Sequence, residues 1–551
     1  MDNINKYNIV FAIVDSVRHY HTEGDDRTRL DFMDEFAQDS IEFKHVITSA
    51  PSTVMSISAM MTSLPSFYLG RNYSDFRFDN NYFTTLSSIL NSNGWETRAL
   101  IMHPDIRDKL RVFDLIPRKY WPKGFSHKTW WDNKKINSLL KNALRIDGDQ
   151  SPKPCFWFLD FNCRQDPETS DIVKDSFRAL KEAGYDENNT IFILCSDHGY
   201  PDPTRGITPE LLKEKNLTHD IFMTEDNIRI PFFISYPGCT KGQKIENIIS
   251  TLDIKPTLLQ LLNIEVSDEV SSKWHGKGLL PLINEEDSNY DSDRLIRVDA
   301  RFFGQPGRVS AMCGKDYKYI YQHDTGEEEF VDLSDYMTEE KNILNFALED
   351  DAMNIELTRF REAFSISEEN GLDFQMNYAI YKLRDKFNFL NHLKEKNPSI
   401  MIISTSEKSF LESVCLAIKG IVKKVEIYSI SEIKDLDEDL IKESYLINRD
   451  MEFRVDNLDE IERKDLCILI YDSSNSEDFK KLKKLSKSIK TDKTIMMDLN
   501  MSLSINQGQI SRYLKTLYLK KDFIYEEPSL IFFEIGKIFR VLKRKMISSF
   551  R

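Results

Sequence analysis

The chain has 551 residues, which is too long for one hydrophobic core and predicts two or three domains. Its composition, 41% hydrophobic and 30% charged, is that of a soluble globular protein and contains no low-complexity tract. The net charge of −15 argues against a general nucleic-acid-binding protein, because such a chain repels a polyanion, so we expect no nucleic-acid partner.

The cysteines and the first residues of the chain indicate the cellular compartment of the protein. Seven cysteines are scattered without a CxxC pair, which predicts reduced core residues rather than disulfides or a zinc site. No run approaches the roughly 20 apolar residues of a membrane span, so no transmembrane segment is predicted. A buried strand is predicted to begin at Asn8, which leaves no room for a signal peptide of about 15 to 30 residues. We therefore expect a cytoplasmic protein.

The first predicted strand ends in an acid. Residues 8–14 (NIVFAIV) are nearly all apolar, which is typical of a strand buried on both faces of a parallel sheet, and Asp15 follows at once. The next marked segment, residues 48–64, is rich in small hydroxyl side chains. A helix that begins at Ser52 or Thr53 would direct its first N–H groups at an anion, although a capped core helix explains the same pattern.

Further along the chain, strand and helix patterns alternate. Residues 107–142 form a polar, tryptophan-rich segment that is predicted to be a lid or a rim. The predicted elements around it are a helix at 85–93, strands at 96–102 and 155–161, and a helix at 171–184. This alternation predicts a doubly wound α/β fold.

The sequence TIFILCSDHGYP at residues 190–201 carries the strongest site signal. Its apolar half predicts a buried strand that delivers Asp197 and His198 to its carboxyl end, where open α/β sheets place their sites. A carboxylate beside an imidazole can ligate one divalent cation, and Asp15 would reach the same edge of the sheet. The alternative is an aspartate that caps a helix next to a surface histidine.

Several motifs share their order and spacing with one known family. The segments are NIVFAIVDSVR (8–18), a hydroxyl-rich turn that ends in MTS (61–63), SDHG (196–199), HDIFMTEDNIRIP (219–231), STLDIKPT (250–257), HGKGLLPL (275–282), and KDYKY (315–319) followed by EFVDL (329–333) and EKN (340–342). In these segments the chain resembles the sulfatases of the alkaline phosphatase superfamily. The resemblance covers a catalytic domain of about residues 1–350. It implies an α/β fold with a doubly wound, mostly parallel sheet and a small C-terminal subdomain at about residues 290–350.

The resemblance implies a metal site. Asp15, Asp197 and His198 match the family's metal ligands. Two carboxylates and one imidazole suit Mg²⁺, Mn²⁺, Ca²⁺ or Zn²⁺, and the sequence does not choose among these ions.

The positions that would hold a second metal have changed. Ser16 stands where a second aspartate usually follows the first. Cys163 and Gln165 stand where two-metal members of the superfamily have Asp and His ligands. We therefore expect one divalent cation.

The resemblance also implies the reacting groups. Thr53 matches the nucleophile, which contacts the metal as well, and His219 matches a histidine that contacts the transferred group or acts as a general acid. Ser52 and Ser56 are the alternatives for the nucleophile and weaker candidates for substrate contacts. Arg18 is a candidate for a contact with the substrate anion, and a surface cation is the alternative for this residue.

The nucleophile position departs from sulfatases proper. Those enzymes use Cys or Ser in the pattern Cys/Ser-x-Pro-x-Arg, which is oxidised to formylglycine, whereas this chain has TVMSI at residues 53–57. Threonine cannot become formylglycine, so no formylglycine is expected. The site is more similar to relatives that attack phosphoesters with an unmodified threonine.

The expected function is therefore hydrolysis or transfer of a phosphate or sulfate ester. Phosphodiester chemistry, or chemistry of the phosphoethanolamine or phosphoglycerol type, is favoured, with a small molecule, a glycan or a glycan precursor as the substrate. The alternatives are a true sulfuric ester hydrolase and a non-catalytic binding protein with a sulfatase fold. The sequence does not determine the oligomeric state.

The rest of the chain predicts three further segments. Residues 351–397 are charged and helical, which predicts a linker helix or a bracket against the first domain. Residues 398–525 predict a smaller Rossmann-like α/β domain without a glycine-rich phosphate loop, so partner contacts or substrate presentation are favoured over nucleotide binding. Residues 526–551 predict a basic amphipathic helix or tail. Residues 529–551 could contact an anionic membrane surface, or pack on their own domain.

Overall fold

The structure is a computed structural model. It describes residues 5–22, 27–69, 82–101, 132–147, 153–163, 168–203, 207, 212, 218–286, 290–291, 293–301, 308–323, 325–334, 342–386, 398–404, 411, 415, 418–419, 425–431, 441–448, 454–455, 464, 466–471, 482, 484–485, 489, 491, 494–498 and 503–505. Most of the predicted lid or rim, Gln165, the last residues of the predicted linker and the whole tail at 526–551 lie outside this description.

The elements of the N-terminal part are β1 (Asn8–Asp15), α1 (Asp31–Ala37), β2 (Ile41–Ile47), α2 (Thr53–Thr62), α3 (Ser66–Leu69), α4 (Leu86–Ser92), β3 (Glu96–Leu100), α5 (Asn133–Asp147), β4 (Cys155–Asn162), α6 (Thr169–Glu182), β5 (Thr190–Cys195), a 3₁₀ turn (His219–Ile221), α7 (Glu225–Ile228), β6 (Arg229–Ser235), β7 (Lys244–Ser250), a 3₁₀ turn (Thr251–Asp253), α8 (Ile254–Leu261), α9 (Asp268–Ser271) and α10 (Leu280–Ile283). The later elements are β8 (Ile296–Arg301), β9 (Arg308–Cys313), β10 (Tyr317–Gln322), β11 (Glu328–Asp332), α11 (Leu344–Glu349), α12 (Asp351–Lys386), β12 (Ser399–Ser404), β13 (Glu426–Ser431), β14 (Glu443–Asn448), β15 (Arg454–Val455), β16 (Leu466–Tyr471), β17 (Thr494–Asp498) and β18 (Leu503–Ile505).

A seven-stranded sheet organises the N-terminal part, with the strand order β3-β4-β1-β5-β6-β2-β7. β1 lies at its centre and pairs in parallel with β4 and β5. β6 runs antiparallel to both of its neighbours, and the other pairings are parallel. The predicted doubly wound, mostly parallel sheet is confirmed.

β1 shows why the strands are unbroken apolar runs. Its alternate side chains enter two hydrophobic clusters, Ile9, Phe11 and Ile13 on one face and Val10, Ala12 and Val14 on the other. Helices α2, α4 and α8 cover the first face, and α1, α5 and α6 cover the second. Because both faces are covered, no position along the strand tolerates a solvated side chain. Each fully buried aliphatic or aromatic side chain contributes about 1.5–3 kcal/mol to this core.

A second, antiparallel sheet forms the small subdomain, with the order β11-β10-β9-β8. Helix α12, which the sequence predicted as a linker or a bracket, packs on it. Phe360 and Phe364 of this helix share a hydrophobic cluster with Tyr319 and Phe330 of the sheet. A Cβ added at Gly371 of α12 would lie 2.3 Å from the ring of Phe67 in α3, so α12 contacts the N-terminal part closely as well.

The HGKGLLPL segment closes over the carboxyl end of α2. The backbone N–H of His275 donates to the carbonyl oxygen of Ser63 at 2.9 Å, and that of Gly276 donates to the Ser63 hydroxyl at 3.1 Å. A Cβ at Gly276 would lie 1.9 Å from the carbonyl oxygen of Leu252, so only glycine fits there. This family motif therefore has a structural role.

The His275 ring, which packs against Tyr68 although the residue is exposed, predicts a small loss of stability in acid. Desolvation of the ring, together with Arg294 and Arg297, lowers the pKa of His275 to about 4. Between about pH 6.5 and 4 the unfolded chain binds more protons at this residue than the folded chain, so the free energy of unfolding falls as the pH falls. Because the residue is exposed and water screens its charge, His275→Phe, which keeps an aromatic ring against Tyr68, is expected to reduce this fall by no more than about 1 kcal/mol.

Urea unfolding of both proteins at several pH values measures this effect. The difference in the free energy of unfolding between His275→Phe and the wild type should be constant above about pH 6.5, where the imidazole is neutral in the folded and the unfolded state. Parallel curves down to pH 4 would show that His275 does not contribute.

The C-terminal part contains a third sheet, with the strand order β15-β14-β13-β12-β16-β17-β18. The inner strands, from β14 to β17, pair in parallel, and the outer strands β15 and β18 are antiparallel. In chain order the parallel strands are arranged 3-2-1-4-5, the order in which a Rossmann sheet begins. Kinship of this segment with Rossmann-like proteins stays a prediction. In the part of the chain that the structure describes, every helix is too short or too polar to cross a bilayer.

Candidate active site

The carboxyl ends of β1 and β5 bring the three predicted metal ligands together. Ile13 of β1 pairs with Cys195 of β5, so Asp15 and the residues that follow Cys195 lie side by side. The His198 Nε2 atom lies 3.5 Å from Asp15 Oδ1 and 3.4 Å from Asp197 Oδ2. One ligand atom from each of the three residues lies within 4.8 Å of the others. The structure thus places these residues together as the sequence predicted.

The donor atoms of this cluster fit a divalent cation. Asp197 is fully buried, and its Oδ1 accepts hydrogen bonds from the backbone N–H groups of Ser16 and His198, at 3.2 and 2.9 Å. Its Oδ2, which faces His198, is buried without a hydrogen-bond partner among the described residues. A buried carboxylate oxygen of this kind is costly unless a cation compensates its charge. Burial and the negative charge of Asp15 raise the pKa of Asp197 to about 6, although His198 opposes them.

The tautomer of His198 also fits metal ligation. Its Nδ1 lies 2.7 Å from the carbonyl oxygen of Gly199. A carbonyl oxygen can only accept a hydrogen bond, so Nδ1 carries the proton and Nε2 presents its lone pair to the carboxylates. This is the arrangement that a histidine ligand requires.

Thr53 is the first residue of α2, and its hydroxyl faces the cluster. Its Oγ1 lies 3.2 Å from His198 Nε2 and 3.4 Å from Asp15 Oδ1. Ser52 precedes it in an extended conformation, with its side chain almost buried and making no bond to the helix N–H groups. The amino end of the ten-residue helix α2 therefore opens next to the metal ligands, where its N–H groups favour an anion. The nucleophilic role of Thr53 stays a prediction.

Two further candidate residues, Ser56 and Arg18, donate hydrogen bonds to backbone carbonyls of the site. Ser56 is fully buried, and its hydroxyl donates to the backbone carbonyl of Asp197 at 2.7 Å, because its side chain lies on the face of α2 that docks on the sheet. Arg18 is also fully buried, and its guanidinium donates to the carbonyls of Tyr200 and Pro201 at 2.8 and 3.1 Å. Both therefore stabilise the backbone of the site, and the burial of Arg18 excludes the alternative of a surface cation. The nucleophile or substrate contacts of Ser56 and Arg18 stay predictions.

His219 lies next to the cluster, in the 3₁₀ turn His219–Ile221. Its ring stacks on the ring of His198, with a centroid distance of 5.0 Å and an interplanar angle of 28°. Its Nε2 lies 2.9 Å from Asp220 Oδ1. Burial would raise the pKa of Asp220, but the charge of His219 lowers this pKa below its ordinary value. The structure thus brings this predicted residue to the site, while its role as a general acid stays a prediction.

Cys163 and Ser16, at two of the positions where a second metal would need ligands, and the neighbouring Asn162 make hydrogen bonds at the ends of β4 and β1. The carbonyl oxygen of Asn162 accepts a hydrogen bond from the side chain of Asn133 at 2.7 Å. Cys163 is buried, with its Sγ 3.6 Å from the carbonyl oxygen of Ser16. Ser16 itself has a φ of 64°, and its hydroxyl donates to Asp15 Oδ1 at 2.8 Å.

Two hydroxyl groups that sequence reasoning did not single out fix the strand ends. Ser196 Oγ accepts from the N–H of Val17 at 3.0 Å and lies within 2.7 Å of the Val14 carbonyl oxygen, so it ties the end of β5 to the end of β1. Thr48, just after β2, donates to the carbonyl of Asp197 at 2.7 Å. The serine of the SDHG motif was a usable signal, whereas nothing near Thr48 in the sequence indicates its partner.

Gly199 allows the loop after the metal ligands to approach another backbone segment. Its N–H donates to the carbonyl of Asn227 at 2.8 Å, and a Cβ at this position would lie 2.0 Å from the carbonyl oxygen of Asp226. Gly199→Ala is therefore expected to lower the free energy of unfolding by about 2–3 kcal/mol. It should also weaken divalent-metal binding, because the backbone shift displaces the adjacent Asp197 and His198.

Urea unfolding and metal titration by calorimetry check this prediction. Gly184→Ala is the matched control, because Gly184 has a φ of +89° and nothing within 4 Å of an added Cβ. The control should lose about 1–2 kcal/mol through backbone strain alone and keep its metal affinity. Wild-type metal affinity in Gly199→Ala would contradict the role assigned to this contact.

Comparison with known families agrees with this geometry. The Sulfatase family model matches residues 7–159, and the model for the C-terminal part of N-sulphoglucosamine sulphohydrolase matches residues 214–361. The two models together cover more than half of the chain; the first includes Asp15 and Thr53, the second includes His219, and Asp197 and His198 lie between them. The chain belongs to the sulfatase/alkaline phosphatase-like superfamily.

Curated relatives of this sulfatase-family chain include an arylsulfatase of Clostridium perfringens, 31% identical over 171 residues, which are 30% of this chain and 32% of the relative. An ulvan-active sulfatase of Formosa agariphila is 26% identical over 231 residues, 41% of this chain and 40% of the relative. The matched part thus spans only about a third to two fifths of these relatives. Members of this superfamily that are called sulfatases hydrolyse sulfate esters and hold a divalent cation.

Solved sulfatase structures share the fold. The crystal structure of Ps i-CgsB with k-i-k-neocarrahexaose has a TM-score of 0.51 at 17% identity, covering 66% of this chain and 93% of that chain. The structure of BT4656 with its substrate D-glucosamine-2-N,6-O-disulfate has a TM-score of 0.53 at 14% identity, covering 67% of this chain and 98% of that chain. These similarities support the sulfatase-like α/β fold with its antiparallel subdomain.

Proposed function

We propose that this sulfatase-family chain is a divalent-metal-dependent ester hydrolase or transferase that attacks its substrate with Thr53. The observation that carries the proposal is the position of the Thr53 hydroxyl, 3.2 Å from His198 Nε2 and 3.4 Å from Asp15 Oδ1 at the amino end of α2. A cation held by Asp15, Asp197 and His198 supplies Lewis-acid polarisation and lowers the pKa of a hydroxyl bound to it.

The residues of the chain then have distinct tasks. The N–H groups at the amino end of α2 and the cation site together attract the negatively charged ester group. Thr53 Oγ1 forms a bond to the phosphorus or sulfur atom and gives up its proton to Asp15. The bond from that atom to the leaving oxygen breaks, and the leaving oxygen takes the electron pair and a proton from His219. The oxygen of water or of an acceptor hydroxyl then bonds to the phosphorus or sulfur atom and gives its proton to His219. The bond from that atom to Thr53 Oγ1 breaks, and Thr53 regains its proton from Asp15.

We propose phosphodiesters, or esters of the phosphoethanolamine or phosphoglycerol type, as the favoured substrates. The support is the residue at position 53, because threonine cannot be oxidised to formylglycine and the Pro and Arg of the sulfatase pattern are absent from TVMSI. An unmodified threonine hydroxyl is a sufficient nucleophile when its pKa is lowered.

A sulfated glycan is the second candidate substrate. The support is the set of relatives and structural neighbours, which include an ulvan-active sulfatase and a protein bound to a disulfated glucosamine. In this case the sulfate group would occupy the same position next to Thr53. A non-catalytic binding protein is the remaining alternative.

A substrate screen with purified protein tests these proposals. The protein is assayed with Mn²⁺, Mg²⁺, Ca²⁺ or Zn²⁺, and with EDTA, against an aryl phosphate monoester, an aryl phosphodiester, an aryl phosphonate monoester and an aryl sulfate. Metal-dependent turnover of the phosphodiester or phosphonate supports the favoured substrates, and turnover of the sulfate alone supports the second candidate. If the protein turns over none of these esters and binds no metal, the result supports the non-catalytic binding protein.

A further inference from the structure

Four planar groups contact one another in series beside the candidate metal site. The ring of His219 contacts two other rings, 5.0 Å from that of His198 and 4.9 Å from that of Tyr200, with interplanar angles of 28° and 32°. The guanidinium carbon of Arg27 lies 3.7 Å from the centre of the Tyr200 ring. The imidazole of His219 therefore has two aromatic neighbours.

The backbone and one edge of His219 are fixed as well. Asn227 is fully buried, and its side-chain N–H₂ donates to the carbonyl oxygens of His219 and Phe222 at 2.8 and 2.7 Å. These bonds define the 3₁₀ turn that carries His219. The carboxylate of Asp220 lies 2.9 Å from the Nε2 edge of the ring. Rotation of the imidazole would break the ring contacts and this ion pair at once.

We propose that Tyr200 and Asp220 are positioning residues that give His219 a single orientation beside His198. The proposal rests on the proposed function, in which His219 transfers its proton to the leaving oxygen of the ester. Proton transfer requires the ring atom and the leaving oxygen to be within hydrogen-bond distance, so a freely rotating imidazole transfers its proton in only a fraction of encounters. The Tyr200 ring packs against the His219 ring, and the Arg27 guanidinium holds the Tyr200 ring by a cation–π contact. The Asp220 carboxylate fixes the rotation of the His219 ring by its contact with Nε2.

The test uses Tyr200→Leu, which removes the aromatic ring, and Tyr200→Phe, which keeps it. Each protein is assayed with a series of aryl esters whose phenol leaving groups differ in pKa. General acid catalysis contributes about 10²–10⁴-fold, and its contribution is largest for poor leaving groups. Tyr200→Leu is therefore expected to lower kcat for the poorest leaving group at least about tenfold more than for 4-nitrophenolate, with a smaller change in KM. Tyr200→Phe should recover most of this loss.

A second pair of variants, at Asp220, distinguishes loss of positioning from a folding defect in Tyr200→Leu. Asp220→Ala should show the same dependence on the leaving group as Tyr200→Leu, and Asp220→Asn, which retains an oxygen near the ring, should be less affected. Tyr236→Leu is the control, because this partly buried tyrosine follows β6 at the opposite edge of the sheet. In this control variant, kcat should not fall more for poor leaving groups than for good ones. Equal losses for all leaving groups in Tyr200→Leu and Asp220→Ala would overturn the proposal.

A spectroscopic measurement separates this proposal from the proposed function. The imidazole resonance of His219 is assigned by its loss in His219→Gln, using protein labelled at the histidine rings. Tyr200→Leu should shift this resonance, because the ring current of the Tyr200 side chain disappears, and Tyr200→Phe should restore it. An unshifted resonance in Tyr200→Leu would overturn the positioning role. Absence of turnover in the wild type would refute the proposed function alone, since the resonance still tests the position of the ring.

Discussion

Thr53→Ala is expected to lower kcat/KM for the best ester substrate by about 10³-fold or more, because a chain without the hydroxyl has no group to bond to the phosphorus or sulfur atom. Asp15, Asp197 and His198 remain in this variant, so it should bind a divalent cation. Thr53→Ser keeps a hydroxyl at the same place and should retain measurable activity. Steady-state kinetics and metal analysis of the three proteins measure these effects.

Thr62→Ala is the matched control for Thr53→Ala. Thr62 is the last residue of the same helix, and its hydroxyl donates to the carbonyl oxygen of Ser58 at 2.8 Å, away from the metal ligands. Loss of this hydroxyl should change kcat/KM by less than about tenfold, as expected for a variant with only a small effect on stability. Activity of Thr53→Ala within tenfold of the wild type would remove Thr53 as the nucleophile and leave Ser52 as the alternative.

Asp197→Asn is expected to abolish binding of the divalent cation and, with it, the turnover of any ester. The substitution replaces a fully buried carboxylate, whose Oδ2 faces His198, by a neutral group of the same shape. A cation present at about 100 times its dissociation constant stabilises the folded wild type by about 2.7 kcal/mol, and the variant should gain none of this. Thermal unfolding with and without added metal, and metal analysis after dialysis, measure the two effects.

The metal-free proteins give an independent check of the same residue. Without a cation, the pKa of about 6 for Asp197 means that its charged form is disfavoured in the fold. The folded wild type then binds more protons than the unfolded chain between about pH 4 and 6, so its stability falls as the pH rises through this range. Asp197→Asn should lack this fall and be the more stable apoprotein at pH 7.

Asp186→Asn, at a loop in front of β5 and outside the site, is the control for charge removal. It should keep the metal-dependent rise in melting temperature. A full equivalent of metal in Asp197→Asn would show that the cation is held elsewhere.

Local patterns were sufficient for the sheet and for the residues of the candidate metal site. The unbroken apolar runs of β1 and β5 indicate strands covered on both faces, and such strands in an alternating α/β pattern pair in parallel. Parallel neighbours end at the same edge, so Asp15, Asp197 and His198 meet wherever β1 and β5 are adjacent. The family motifs added Thr53 and His219, which the structure places at that edge.

The sequence by itself thus determined the fold class and the edge of the sheet that carries the candidate site, because these depend on periodicity within single elements, whereas His219 came from the family motifs. Only the tertiary structure decided which way other polar side chains point. Arg18 and Ser56 donate to carbonyls 182 and 141 residues away, and the ring of Tyr200 contacts that of His219 across a loop. Such contacts depend on how a helix docks and how a loop folds back, and these are set by packing between distant segments rather than by the residues nearby in the chain.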